Sequence, residues 1–315
     1  MPPTSFTDLY ADVGRRRDAG DTDGAIALVR DNLKTFPLHR GLMHLVLAEL
    51  LIANARPGEA ITALQQAVAA GCRYKAEWLT TDPRVAPLLG DARFMKLVRK
   101  SDEQYAADAA AARPDVLVRA PSSPPAPSGR PLLIALHGNN SNARETARQW
   151  SSAVDDGWVV AIPQSSEIGA SPEAFTWNDR VRTRSEIAAH VVRVRELHRI
   201  DDARVVLAGF SMGALQAVAL PLAVGFEARG VLPVAAWLPN VDEFTGLLQE
   251  GGGRAPDAYV VVGEADPSHD GALQLAALLQ KHGARVKLDV RAGMGHEYPP
   301  DMKATLSRAL EFLAG

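Results

Sequence analysis

Cysteine is almost missing from this chain: Cys72 stands alone in 315 residues. That excludes an internal disulfide framework and suits a reducing compartment. Long apolar runs are missing too. No window approaches the roughly eighteen consecutive apolar residues of a membrane span, so none is expected. The opening Met-Pro-Pro-Thr-Ser-Phe-Thr-Asp has neither a basic segment nor an apolar one. No signal peptide is therefore expected, and the expected location is cytoplasmic. Charge of one sign is in short supply, with a net −3 at neutral pH and only a brief arginine cluster from Arg180 to Arg184. Nucleic acid is not an expected partner. The eight histidines form no H-E-x-x-H pair and no Cys/His cluster, so no metal and no cofactor is implied.

What the chain does hold is enough apolar material, 47% of its residues, to bury the cores of two domains. The later part alternates short β-branched runs with helical runs. Strands are expected at Leu132–Leu136, Trp158–Ile162, Arg204–Ala208, Gly230–Val234, Tyr259–Val262 and Val286–Val290, with Val116–Val118 as an added edge. Helices are expected at Ala143–Ala153, Thr183–Arg199, Ser211–Val224, Gly271–His282 and Met302–Leu313. Strict alternation of this kind argues for an α/β fold, a mostly parallel sheet with helices on both faces. Leu247 to Pro256, with its three consecutive glycines, is expected to be a mobile surface loop.

The most informative stretch is Val205 to Leu215, in which an apolar run enters Gly209-Phe210-Ser211-Met212-Gly213 and an Ala/Leu-rich helix follows. This is the strand–turn–helix context of a nucleophile elbow. The sharp turn strains the serine backbone, and the flanking glycines let strand and helix approach without Cβ clashes. A serine hydroxyl is a poor nucleophile and needs a base and a group to orient that base. Asp266 lies just past the Tyr259–Val262 strand and His296 just past Val286–Val290, at the sheet edge where open α/β folds place chemistry. Glu264 is the rival acid and His269 the rival base. Asp289 alternates within a strand and is expected to face solvent. The other histidines lie in helical contexts and suit surface or packing roles. Two oxyanion donors are expected, the backbone N–H of Met212 at a helix N-terminus and that of Asn139 after the Leu132–Leu136 strand. His137 is expected to hold its loop rather than act directly.

Residues from about Pro131 to Gly315 resemble a small α/β-hydrolase of the carboxylesterase, phospholipase and acyl-protein-thioesterase group. The landmarks are Leu136-His137-Gly138, Ile162-Pro163, the Gly209–Gly213 elbow, Gly263 to Pro267 and Gly295-His296. The resemblance implies an α/β-hydrolase fold and a Ser211–His296–Asp266 triad acting through an acyl-enzyme, with an acyl ester, small or lipid-like, as substrate. Thioester or peptide cleavage on the same fold, or a scaffold with an inactive hydrolase part, are the alternatives. One departure is the polar loop Asn139-Asn140-Ser141-Asn142, where that group commonly has apolar residues and glycine. Phe175, Trp177, Trp237 and Leu238 are candidate pocket liners, although core packing is the commoner fate of such residues.

The first third differs in kind. Ser5 to Ala112 shows helix after helix, and Gly24–Val29 and Glu59–Leu64 repeat with Ala25 and Ala60 35 residues apart. That is close to the tetratricopeptide period of about 34. The match is partial, because the large aromatic positions of such repeats are mostly missing, and a generic helical bundle is the alternative. The expected division is an all-α, tetratricopeptide-like domain at 1–112 and an α/β-hydrolase catalytic domain at 113–315. Pro121 to Pro131 is expected to be irregular. The helical part has three candidate roles: docking a partner protein, joining a second copy of the chain, or covering part of the active-site rim.

Overall fold

The computed structural model describes residues 5–223, 226–252 and 254–315. By internal contact the chain forms two compact units. One comprises Met1–Ala112 together with Ile168–Ala174; the other comprises Arg113–Glu167 and Phe175–Gly315.

The first unit is helical: α1 (Phe6–Asp18), α2 (Thr22–Asn32), α3 (Arg40–Ala53), α4 (Pro57–Ala69), α5 (Ala76–Thr80) and α6 (Ala92–Ala111). Local sequence sets the starts. Ser5 and Asp8 form a capping box on α1, Asp21 accepts from the Gly24 N–H at α2, and Pro57 opens α4. Neighbours pack α1 on α2 and α3 on α4. Ala25, Ala48, Ala60 and Ala67 are fully buried in the core of this unit. The stretch Ile168–Ala174 completes the unit. The Arg73 N–H donates to the Ala170 carbonyl at 2.8 Å, the Gly41 N–H to Ser171 Oγ at 2.8 Å, and the Tyr105 hydroxyl to the Ile168 carbonyl at 3.3 Å. A Cβ on Gly41 would stand 2.8 Å from that of Ala170, so glycine alone permits this approach.

The second unit is built on seven strands: β1 (Asp115–Arg119), β2 (Arg130–Leu136), β3 (Val159–Gln164), β4 (Ile200–Phe210), β5 (Gly230–Val234), β6 (Asp257–Gly263) and β7 (Val286–Arg291). Their order is β1-β3-β2-β4-β5-β6-β7. All neighbours are parallel except β1, which runs antiparallel to β3 at the edge. Successive side chains of a strand face opposite ways, and two apolar layers result. Leu132, Ile134 and Leu136 face the layer that takes in α8 (Arg180–Leu197), α9 (Met212–Leu222) and α11 (His269–Lys281). Leu133 and Ala135 face the layer that takes in α7 (Ala143–Trp150) and α12 (Met302–Ala314). Among the described residues, no helix is long and apolar enough to cross a membrane.

Some expectations are corrected. Arg130 and Pro131 belong to β2, with a register irregularity between Arg130 and Leu132 against β4 that accommodates a residue lacking an N–H. Leu247 to Glu250 are the last turn of α10 (Asp242–Glu250), which buries Phe244 and Leu248, so the expected loop is shorter. Gly253 and Val224 lie outside the described residues. Asp289 does not simply face solvent: it pairs with Arg291 at 2.8 Å and accepts from the Tyr259 hydroxyl at 3.2 Å.

Candidate active site

Ser211 occupies the junction of β4 and α9 with φ 54° and ψ −120°. For a residue bearing a Cβ this backbone costs about 1–3 kcal/mol, and surrounding bonds must hold it. The Ser211 N–H donates to the Val234 carbonyl, while its own carbonyl accepts from the Trp237 and Leu215 N–H groups, each at 3.1 Å. The neighbouring glycines are sterically required. A Cβ on Gly209 would lie 2.5 Å from the Gly213 carbonyl carbon, and one on Gly213 would lie 2.3 Å from the His137 carbonyl oxygen.

The loops after β6 and β7 bring the other two residues to the serine. His296 Nε2 lies 2.8 Å from Ser211 Oγ, and His296 Nδ1 lies 2.9 Å from Asp266 Oδ2. Asp266 is 4% exposed, and its second oxygen accepts from the Ser268 N–H at 2.7 Å. With the carboxylate facing Nδ1, the imidazole proton belongs there, which leaves Nε2 free to accept from the serine hydroxyl. The Phe210 ring lies 5.2 Å from the His296 ring and stacks on Tyr298 at 4.3 Å, forming an apolar backing. The two rival residues stand elsewhere. Glu264 is exposed and accepts from the Gly293 N–H at 3.3 Å, and His269 begins α11 with Nδ1 3.0 Å from Asp270.

Met212 is the first residue of α9, so its N–H is among those a helix start leaves without an internal partner. Asn139 stands after β2 beside Gly138, whose added Cβ would come 3.5 Å from that of Ser211. His137 governs this loop. Its ring is fully buried, and burial pushes its pKa down to about 4, so the imidazole is neutral. The Ser165 N–H donates to Nε2 at 3.4 Å, which puts the ring proton on Nδ1, 2.8 Å from the Gly138 carbonyl. The Gly138 carbonyl and the Asn139 N–H share one planar trans peptide and point opposite ways. Fixing the carbonyl therefore fixes the direction of the N–H.

Of the four candidate liners, Trp177 and Leu238 are buried, Phe175 is half-buried and Trp237 is 43% exposed. Two residues bonded to these candidates were not singled out in the sequence. Ser268 supports Asp266, and Gln216 on α9 donates to the Trp177 carbonyl at 2.7 Å. The available signal for Gln216 was one amide in the otherwise apolar run Met212-Gly-Ala-Leu-Gln-Ala-Val-Ala-Leu-Pro-Leu222.

No protein-family model matches the chain. Over 190 residues it is 27% identical to "Putative esterase NocK" of Nocardia uniformis subsp. tsuyamanensis, a match covering 52% of this chain and 53% of that protein. The chain thus spans about half the length of the curated relative it matches. Among solved structures, an uncharacterized protein from Bacillus cereus ATCC 10987 aligns over 98% of this chain and 99% of its own, with TM-score 0.55 and 24% identity. The esterase PE8 aligns over 64% of this chain and 98% of its own, with TM-score 0.54 and 18% identity. These likenesses show the α/β-hydrolase fold.

Proposed function

We propose that this chain is a serine hydrolase cleaving carboxylic esters through a Ser211–His296–Asp266 triad, with 113–315 as the catalytic part. The observation that carries the reading is the continuous relay at 2.8 and 2.9 Å from Ser211 Oγ through His296 to a buried Asp266. It stands on a strained elbow at the carboxyl edge of a parallel sheet. A turn that exists only to reverse the chain has no need of that strain or that partner.

In this mechanism His296 Nε2 takes the hydroxyl proton as Ser211 Oγ attacks the acyl carbonyl carbon. The carbonyl π pair moves onto oxygen, and the resulting anion accepts from the Met212 and Asn139 N–H groups. Each such donor is worth about 10²–10³ in rate. Asp266 holds the ring's tautomer and stabilises the imidazolium without taking its proton. The tetrahedral adduct collapses, the C–O bond to the alcohol breaks, and His296 returns the proton to the leaving oxygen. Water then repeats the sequence on the acyl-enzyme and releases the acid. The expected substrate is an acyl ester, small or lipid-like. The esterase names among the similar proteins support ester over peptide cleavage.

The test is covalent. A fluorophosphonate probe should label Ser211 in the whole chain, and Ser211→Ala should abolish labelling and lower kcat on simple acyl esters by roughly 10³-fold or more. Unchanged hydrolysis in that variant would overturn the reading. A panel of oxyesters and thioesters of graded acyl length, compared by kcat/KM, ranks the substrate classes.

A further inference from the structure

The two expected oxyanion donors stand on separate segments, Met212 at the start of α9 and Asn139 in the loop after β2. They act on one oxygen only if their separation is held to within about 0.5 Å. Something must tie the helix to the loop. Gln216 lies on α9 and is 2% exposed, a polar side chain among buried alanine, valine and leucine. A buried amide is costly unless it is bonded. Its Nε2 donates to the Trp177 carbonyl at 2.7 Å, whereas its Oε1 has no hydrogen-bond partner among the described residues. Its donor end is therefore the part its surroundings use. The Trp177 N–H in turn donates to Asn139 Oδ1 at 3.3 Å, and the Trp177 ring lies 4.7 Å from the His137 ring.

Resting on the hydrolase reading above, we propose that Gln216 is a positioning residue that ties the helix bearing one oxyanion donor, through Trp177, to the residue bearing the other. Residue 177 is gripped from both sides: its carbonyl by Gln216 and its N–H by Asn139. His137 fixes the plane of the Gly138–Asn139 peptide, and the Gln216–Trp177 link, together with Asn178 Oδ1 that accepts from Asn139 Nδ2 at 3.3 Å, fixes where the Asn139 side chain sits. Without the Gln216 donor the Trp177 carbonyl is buried and unpaired, and the backbone there turns to find another partner, leaving Asn139 with the Asn178 bond in place of two holds. The substrate in its ground state makes little demand on the hole. The transition state depends on it. Loss of the link therefore falls on kcat rather than KM.

The experiment uses the whole chain with Gln216→Met, which keeps length and apolar bulk and removes both amide ends. On p-nitrophenyl acetate, kcat is expected to fall roughly 10- to 100-fold with KM within about twofold. Affinity for a trifluoromethyl ketone, which presents an oxyanion once Ser211 adds to it, is expected to fall by the same factor. A variant that merely loosened the core would not move the two in proportion. Combining Gln216→Met with Asn139→Ala should cost no more than the larger single loss, whereas losses that multiply overturn the link. Should Gln216→Met fail to fold by circular dichroism, Asn139→Ala at the half-buried end must show the same kcat-selective loss. Unchanged kcat there overturns the proposal. Active wild type with unaltered kcat and ketone affinity in Gln216→Met removes the role of Gln216 and leaves the hydrolase intact. A wild type that neither hydrolyses esters nor takes the fluorophosphonate removes both.

Discussion

At the scale of single residues, the choice of acid is the sharpest prediction. Asp266 is buried, faces His296 Nδ1 and is steadied by the Ser268 N–H, while Glu264 is exposed and turned to Gly293. Asp266→Asn should lower kcat by roughly 10⁴, because the wrong imidazole tautomer then prevails. Glu264→Gln should leave activity within about tenfold. Steady-state rates on one ester decide it, and the reverse pattern would move the acid. His137 supplies a pH signature of its own. Its ordinary pKa of 6.5 is pushed down to about 4 by burial. The folded state thus declines a proton that the unfolded chain accepts. Stability from this group is complete above pH 6.5, is lost as the pH falls toward 4, and is level below. The span corresponds to about 3 kcal/mol. His137→Gln should flatten the dependence between pH 7 and 4 by about that amount, read from urea unfolding at several pH values. Burial also lowers the pKa of His39, His44 and His190, so the variant keeps part of the slope. Ser211, Asp266 and His296 could be singled out as candidates because each follows the end of an expected strand. Gln216 could not, because its partner is a backbone carbonyl 39 positions earlier, which leaves no mark on periodicity.

At the scale of elements, strands were the easiest to see: β2, β3, β5 and β6 are short, mostly apolar runs and β4 ends in one, while β7 shows as an alternation of apolar and charged residues. Ends were harder. Pro131 marks a break in most contexts, yet the irregular register against β4 keeps it within β2. The last turn of α10 was hidden by the glycines after it, because Leu247 and Leu248 give too short a pattern to show a period. The elbow makes a prediction of its own. In Gly213→Ala the new methyl would stand 2.3 Å from the His137 oxygen and 2.6 Å from the Leu136 oxygen, both backbone atoms at the end of β2. Neither can yield without moving the strand, so a loss of roughly 2 kcal/mol or more is expected together with most of the activity. Gly14 on α1 is the contrast, with nothing within 4 Å of its added Cβ. Gly14→Ala should gain about 0.5–1 kcal/mol through helix propensity. Denaturant midpoints of the two variants should therefore shift in opposite directions.

For the whole molecule, the change from helical runs to alternating strands near Arg113 was plain in the composition. The membership of Ile168–Ala174 in the helical unit was not, since it rests on backbone contacts with Gly41 and Arg73 across about a hundred residues or more. A chain starting at Arg113 carries that stretch without the Gly41, Arg73 and Tyr105 groups that bond it. It is expected to form the seven-stranded sheet and to be cut by protease within Ile168–Ala174. Resistance equal to that of the whole chain would mean that the stretch keeps its shape unaided.

The same stretch sets an order of events on the ribosome. A helical unit made only of residues up to Ala112 would finish folding once those residues left the exit tunnel. Here its last piece, Ile168–Ala174, is translated about 60 residues later, several seconds at about 5–20 residues per second. During that interval Gly41 and Arg73 present open backbone donors, and the helices wait unfinished while β1 to β3 emerge. Nascent chains stalled before Ile168 should therefore expose their helices to protease, and chains stalled well after Ala174 should not. The helical unit comes first in the sequence, yet it cannot be completed until the first strands of the other unit have been made.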